Sequence, residues 1–267
     1  CLLGGISRGK STMASSVVRD EDVLSSFRQG IFWLSIGSKG KQYISLLVEH
    51  LERKFAVPPM ARDHDDPDGF HATGEMSHHL RSVRGDRRCL LVLDDVHDVE
   101  VLNVFAEAGF HLLVTAREQS VVPPRWRGKF SHVGDMAMEE ALEVLRLASG
   151  AGDEFPKEEA KKVAIDCEML PLAAGIVGRL AQKESSLASR WRRLDEDLEK
   201  TKANFDDIAS LEKRTLLSAI SLGYNALPGT QQKQLQLMAV MAPGVPATLE
   251  MVGNLWDKGT NDVLKDT

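Results

Sequence analysis

The run Gly4-Gly5-Ile6-Ser7-Arg8-Gly9-Lys10-Ser11 satisfies the spacing G-x-x-x-x-G-K-[ST]. It follows the apolar pair Leu2-Leu3 and opens a helical stretch, Lys10 to Val18. Residues of these types at this spacing suit holding the phosphates of a purine nucleoside triphosphate; the plainer reading is an accidental glycine loop. Backbone N–H groups of a loop and a helix N-terminus can wrap phosphate oxygens, aided by the helix dipole. Glycines at the two ends allow the tight turn. Lys10 would reach the β- and γ-phosphates, the Ser11 hydroxyl would ligate Mg²⁺, and Thr12 completes the set of candidate nucleotide contacts.

Two further runs place chemistry at strand ends. Leu90-Leu91-Val92-Leu93-Asp94-Asp95 is an apolar strand closing on paired carboxylates. Beside a phosphate loop, Asp94 is the candidate Mg²⁺ ligand and Asp95 the candidate base, with Lys10 as its catalytic partner. Standing alone, such a pair would be a turn or a helix cap. Leu113-Val114-Thr115-Ala116-Arg117 is the second run. Thr115 and Arg117 are candidate γ-phosphate sensors, because a guanidinium suits bidentate phosphate contact; the plainer reading of Arg117 is an exposed loop arginine.

The elements that must carry these residues alternate. Strands are expected at Leu2-Leu3, Gly30 to Ile36, Cys89 to Leu93, His111 to Thr115 and, more weakly, Lys129 to Val133, with an amphipathic helix around Ile44 to Phe55. Cys89 to Leu93 shows no polar alternation, as expected of a strand covered on both faces. Strands separated by helices imply an α/β fold, a parallel sheet with helices on both faces. Residues 57 to 76, rich in Pro, Asp, Gly and His, read as a long loop. Beyond about residue 135 the strand signal stops. Helical spacing recurs in Glu139 to Leu147, Lys157 to Ile165, Leu170 to Ala181, Leu187 to Leu198 and Leu211 to Ser221, punctuated by Gly150, Pro171, Pro228 and Pro243.

The chain has 267 residues, 43% hydrophobic and 27% charged, with a formal net charge of -6. That is an ordinary globular composition, and no single-sign block favours a nucleic-acid groove or a polybasic membrane anchor. No apolar run is long enough to span a bilayer, and no signal-peptide pattern is present. Cys1, Cys89 and Cys167 have no ligand-like spacing and read as reduced thiols, which suits the cytoplasm. The chain opens without Met on an apolar strand, as expected of a piece of a longer polypeptide. Asp63-His64-Asp65-Asp66 and His78-His79 match no standard metal spacing and read as solvated. Pro123-Pro124-Arg125-Trp126-Arg127 reads as arginines lying over a small apolar surface, and Trp191, Leu194 and Leu198 as a core stripe.

The order of these runs resembles the NB-ARC family of the STAND class of P-loop NTPases, which includes plant disease-resistance proteins and apoptotic-protease activators. Ile31 to Ile36 resembles the family's second-strand motif, and Thr115-Ala116-Arg117 its T-T-R sensor. Glu139 to Leu145 resembles the first helix after the nucleotide domain. Met169-Leu170-Pro171-Leu172-Ala173 resembles G-L-P-L-A with Met169 in the glycine position. Ser221 to Pro228 resembles the S-Y-x-x-L-P stretch opening a winged helix, and Trp256 its later Leu-Trp. The family's loop is usually G-x-G-G-x-G-K-T; here Ile6, Ser7 and Arg8 depart from it, which bears on affinity and turnover.

The resemblance implies a nucleotide-binding domain over 1-135, a small helical domain over 136-205 and an incomplete winged helix over 206-267. It implies ADP or ATP with Mg²⁺, and places Pro171 near the adenine or ribose. It also implies a cytoplasmic signalling switch with slow hydrolysis, a closed-to-open transition, protein partners and self-oligomerisation, with no nucleic-acid partner. The altered loop keeps a second expectation open, a non-hydrolysing scaffold with nucleotide as structural cofactor. A metabolic kinase would show an arginine-rich lid and a DNA motor a basic strand-binding face; neither is evident.

Overall fold

The computed structural model describes residues 1–37, 40–59, 73–126, 128–241 and 248–256. The described chain divides into two compact units: residues 1–5 with 9–134, and residues 6–8 with 135–267.

The first unit is built on five parallel strands: β1 (Leu2–Leu3), β2 (Ile31–Ser35), β3 (Leu90–Val96), β4 (His111–Ala116) and β5 (Ser131–His132). Their spatial order is β2-β3-β4-β1-β5. Side chains alternate across the two faces. Leu91, Leu93 and Val114 join Leu3 in one core; Val92, Leu2 and Leu113 line a second. Ala14 of α1 (Lys10–Val17) covers the second core. The first core is covered by α3 (Gly40–Phe55), α4 (Thr73–Arg84) and α5 (Val99–Glu107), through Ile44, Leu51, Leu80, Leu102 and Phe105. Both faces are thus buried, which explains why β3 lacks polar alternation. Each large side chain so buried contributes roughly 1.5–3 kcal/mol.

Two helices differ from the sequence expectation. α2 (Glu21–Ser26) is a short helix nucleated by Asp20, whose carboxylate accepts from the N–H groups of Asp22 and Val23. The expected loop over 57 to 76 gives way to α4 at Thr73, and Met76, Leu80 and Val83 form that helix's buried stripe. Asp63 to Asp66, Arg127 and Pro243 lie outside the described residues. His79 Nε2 lies 2.6 Å from the buried Glu52 carboxylate. Trp126 packs on the first core, and the Arg125 head group donates to Asn103.

The second unit is helical where it is described: α6 (Met138–Ser149), α7 (Lys157–Asp166), α8 (Pro171–Leu180), α9 (Ala188–Ala203), α10 (Leu211–Asn225), α11 (Gly229–Met238) and α12 (Leu249–Leu255). Trp191, Leu194 and Leu198 are core residues, with Leu145, Leu170 and Val177. The Trp191 ring meets Phe155 edge-on at 5.3 Å, and its indole N–H donates to the Ser185 carbonyl. Between α7 and α9, Lys202 pairs with Asp166 at 3.4 Å, while Asp195 Oδ1 is buried and receives no donor. Burial and then the neighbouring Asp166 carboxyl raise the Asp195 pKa from 3.8 to about 6. Burial likewise pushes the Cys167 thiol up to about 12, so it is inert.

Candidate functional site

β1 ends in the phosphate loop. Gly4 is required here by packing: a Cβ on it would stand 2.4 Å from the Val133 carbonyl oxygen. Gly9 holds φ 85 as it caps α1, a conformation that costs glycine nothing, and Ser7 holds φ 59. The Lys10 ammonium folds back to donate to the Gly5 carbonyl at 2.7 Å, and the residue is buried. Ser11 and Thr12 are exposed on the first turn of α1, which carries no acidic side chain to offset its N–H groups. Ile6, Ser7 and Arg8 group with the second unit, in which Arg8 pairs with Asp135 and Glu212. Pro171 also belongs to that unit, as the opening residue of α8.

The end of β3 is bent. Pairing with β4 shifts register between Leu93 and Val96, and Asp95 sits at φ 59, in the left-handed region that side chains rarely enter. Such a residue stores about 1–3 kcal/mol of strain, and strain of this kind clusters at functional sites. The bend turns two consecutive carboxylates to different partners. Asp94 Oδ1 accepts from Ser11 Oγ at 2.7 Å and from Thr115 Oγ1 at 2.6 Å. The same Thr115 hydroxyl accepts from the Asp95 N–H at 2.9 Å. Thr115 is 1% exposed, so its hydroxyl is a buried rivet between the ends of β3 and β4.

Asp95 faces a different set. Arg117 Nε donates to its Oδ1 at 3.3 Å and Nη2 to its Oδ2 at 3.4 Å. His97 Nε2 lies 3.1 Å from the same Oδ2. Sequence reading passed over His97; its signal was its place two residues past the paired carboxylates, where a bent strand returns the chain toward Asp95. The Ser11 hydroxyl and the Asp94 carboxylate are hard oxygen donors meeting at hydrogen-bond distance, which fits Mg²⁺ held between protein and phosphate oxygens. When bound, that ion supplies charge neutralisation for a phosphoryl group. Ser11, Asp94, Asp95, Thr115 and Arg117 all lie at the carboxyl ends of β1, β3 and β4 or just beyond, the edge where open α/β sheets bind ligands.

The NB-ARC domain family matches residues 2–153. The chain belongs to the NB-ARC family. It is therefore a nucleotide-binding module of P-loop type. Apoptotic protease-activating factor 1 of Homo sapiens is 24% identical over 266 residues, covering 96% of this chain and 20% of that protein. A protein of Arabidopsis thaliana named for disease resistance is 23% identical over 274 residues, covering 95% of this chain and 28% of that one. The chain thus spans about a fifth to a quarter of the length of these relatives. Among solved structures, a Walker-type ATPase of Pyrococcus abyssi aligns with TM-score 0.49 and 14% identity, over 99% of this chain and 83% of that one. Among the described residues, no helix is long and apolar enough to cross a membrane, and no group of three or more His, Cys, Asp or Glu side chains gathers as a metal site.

Proposed function

We propose that this NB-ARC module is an ADP/ATP-dependent switch with slow Mg²⁺-dependent hydrolysis. The observation that carries it is the contact of Ser11 Oγ with Asp94 Oδ1 beside the Lys10 loop, with Asp95 and Arg117 at the neighbouring strand ends. In this reading residues 4–12 hold the phosphates, Ser11 and Asp94 hold Mg²⁺, Asp95 orients the attacking water, and Arg117 exchanges its carboxylate partner for the γ-phosphate. The Arg117–Asp95 pair is exposed, so leaving it costs about 0–1 kcal/mol. The second unit would comprise the helical domain to residue 205 and the start of a winged helix. Exchange of ADP for ATP would open the module and expose surfaces for self-assembly and protein partners in the cytoplasm; one relative's name, a protease-activating factor, supports a signalling output of that kind.

Magnitudes constrain the switch. Bound nucleotide stabilises the module by about 4 kcal/mol at a thousandfold excess over its dissociation constant. Moving a population from nearly closed to nearly open needs about 5.5 kcal/mol of differential affinity. One exposed guanidinium does not supply that, so an activating ligand must share the work. Calorimetry with ADP tests the phosphate site: Lys10→Ala should lose most of the affinity, and wild-type affinity in that variant would show the site misplaced. A second reading, the non-hydrolysing scaffold, is favoured by the engagement of both Asp95 oxygens within the protein. Single-turnover assays decide, since retention of ATP without phosphate release rejects hydrolysis.

A further inference from the structure

We infer that His97 is a positioning residue for Asp95, holding one carboxylate oxygen in place when Arg117 leaves the carboxylate for a phosphate. The inference rests on the reading of Asp95 as the residue that orients water. Its basis is an asymmetry in how the two Asp95 oxygens are held. Oδ1 accepts from Arg117 Nε, whereas Oδ2 accepts from Arg117 Nη2 and also has His97 Nε2 at ion-pair distance, 3.1 Å. Withdrawing the guanidinium therefore releases Oδ1 and leaves Oδ2 on the imidazole.

A carboxylate can only accept, so of the two atoms at this 3.1 Å separation Nε2 is the one able to donate. Without His97, loss of the Arg117 fork would leave Asp95 to turn about its side-chain torsions, since its backbone at φ 59 fixes only the Cα–Cβ direction. With His97, one oxygen stays anchored and the other is presented in a single orientation. Because the contact is made to a carboxylate rather than to nucleotide, its effect falls on turnover and spares affinity.

The test uses the full chain and compares wild type with His97→Phe and His97→Gln in single-turnover ATP hydrolysis and in calorimetric ADP binding. His97→Phe should slow hydrolysis roughly tenfold to a hundredfold, the scale on which misplacement of a catalytic group acts, with ADP affinity unchanged. His97→Gln, whose amide N–H can donate to Oδ2, should recover most of the rate. A wild-type rate in His97→Phe, an equal loss in both variants, or affinity falling in step with rate would overturn the role of His97. Wild-type protein that retains ATP without releasing phosphate would instead overturn the hydrolysis reading, and this inference with it.

Discussion

Replacing Asp195 with Asn should stabilise the second unit at neutral pH and do so less and less as the solution is acidified. Asp195 stands against Asp166, with Glu199 adding repulsion and Lys162 and Lys202 nearby. Two carboxyl groups can hydrogen-bond only when one carries a proton. The folded form keeps that proton to about pH 6, whereas an exposed aspartate releases it near 3.8. Between those values the folded state binds more protons than the unfolded state, so stability falls as pH rises through the window and is fully present below it. At 1.36 kcal/mol per tenfold change in proton affinity, the separation corresponds to about 3 kcal/mol as a ceiling. Asp195 is partly open to solvent, so a working value is about 1–2 kcal/mol. The Asn amide can donate to Asp166 as the protonated acid does, without its charge. Urea unfolding followed by helical circular dichroism from about pH 3.5 to 7.5 should show Asp195→Asn ahead by about 1–2 kcal/mol at the upper end and level with wild type at the lower. A difference that does not change with pH, or a variant less stable than wild type at neutral pH, would refute the reasoning.

Met169 holds φ 52, so glycine should outperform alanine there, reversing their usual order. In thermal melts Met169→Gly should exceed Met169→Ala by about 1 kcal/mol, with both losing the side chain's packing. Gly4→Ala should destabilise the first unit by about 1–3 kcal/mol and weaken nucleotide binding together, because the new methyl meets the Val133 carbonyl backbone; denaturation and calorimetry read the two effects. Thr115→Val keeps shape but strands the Asp95 N–H and removes a donor from Asp94, costing about 1–3 kcal/mol in denaturant unfolding, while Thr115→Ser should cost less.

The sheet was legible because burial on both faces writes itself into the sequence as uninterrupted apolar runs, as in Leu90 to Leu93. The turn from β1 into α1 was legible because Gly4 and Gly9 mark where the backbone must pack closely or turn left-handed. α4 was masked by the Pro, Asp, Gly and His of the segment before it, although Met76, Leu80 and Val83 carry a helical period. α2 is too short for periodicity and is announced only by its Asp20 cap. At the site, sequence places Thr115 and Arg117 at a strand end but cannot say which way they turn. That depends on the register of β3 against β4, and the shift at Leu93 to Val96 has no signature in residue types. His97 escaped notice because a lone histidine just past a strand end carries no pattern of its own.

The placement of β1 has a consequence for how the molecule is made. Its two residues pair with Thr115 and Ala116 on one side and with Ser131 and His132 on the other. β2, β3 and β4 can zip together as they emerge from a ribosome, but β1 cannot be seated before residue 116 exists, nor flanked on both sides before residue 132. Contacts of such sequence separation form late, because the intervening chain must first be ordered. The phosphate loop hangs directly from β1 and acquires its shape with it. At the proposed phosphate site, nucleotide binding therefore reports completion of the sheet. Early ligand capture would act as a clasp on a nearly finished sheet, holding the inserted strand in place.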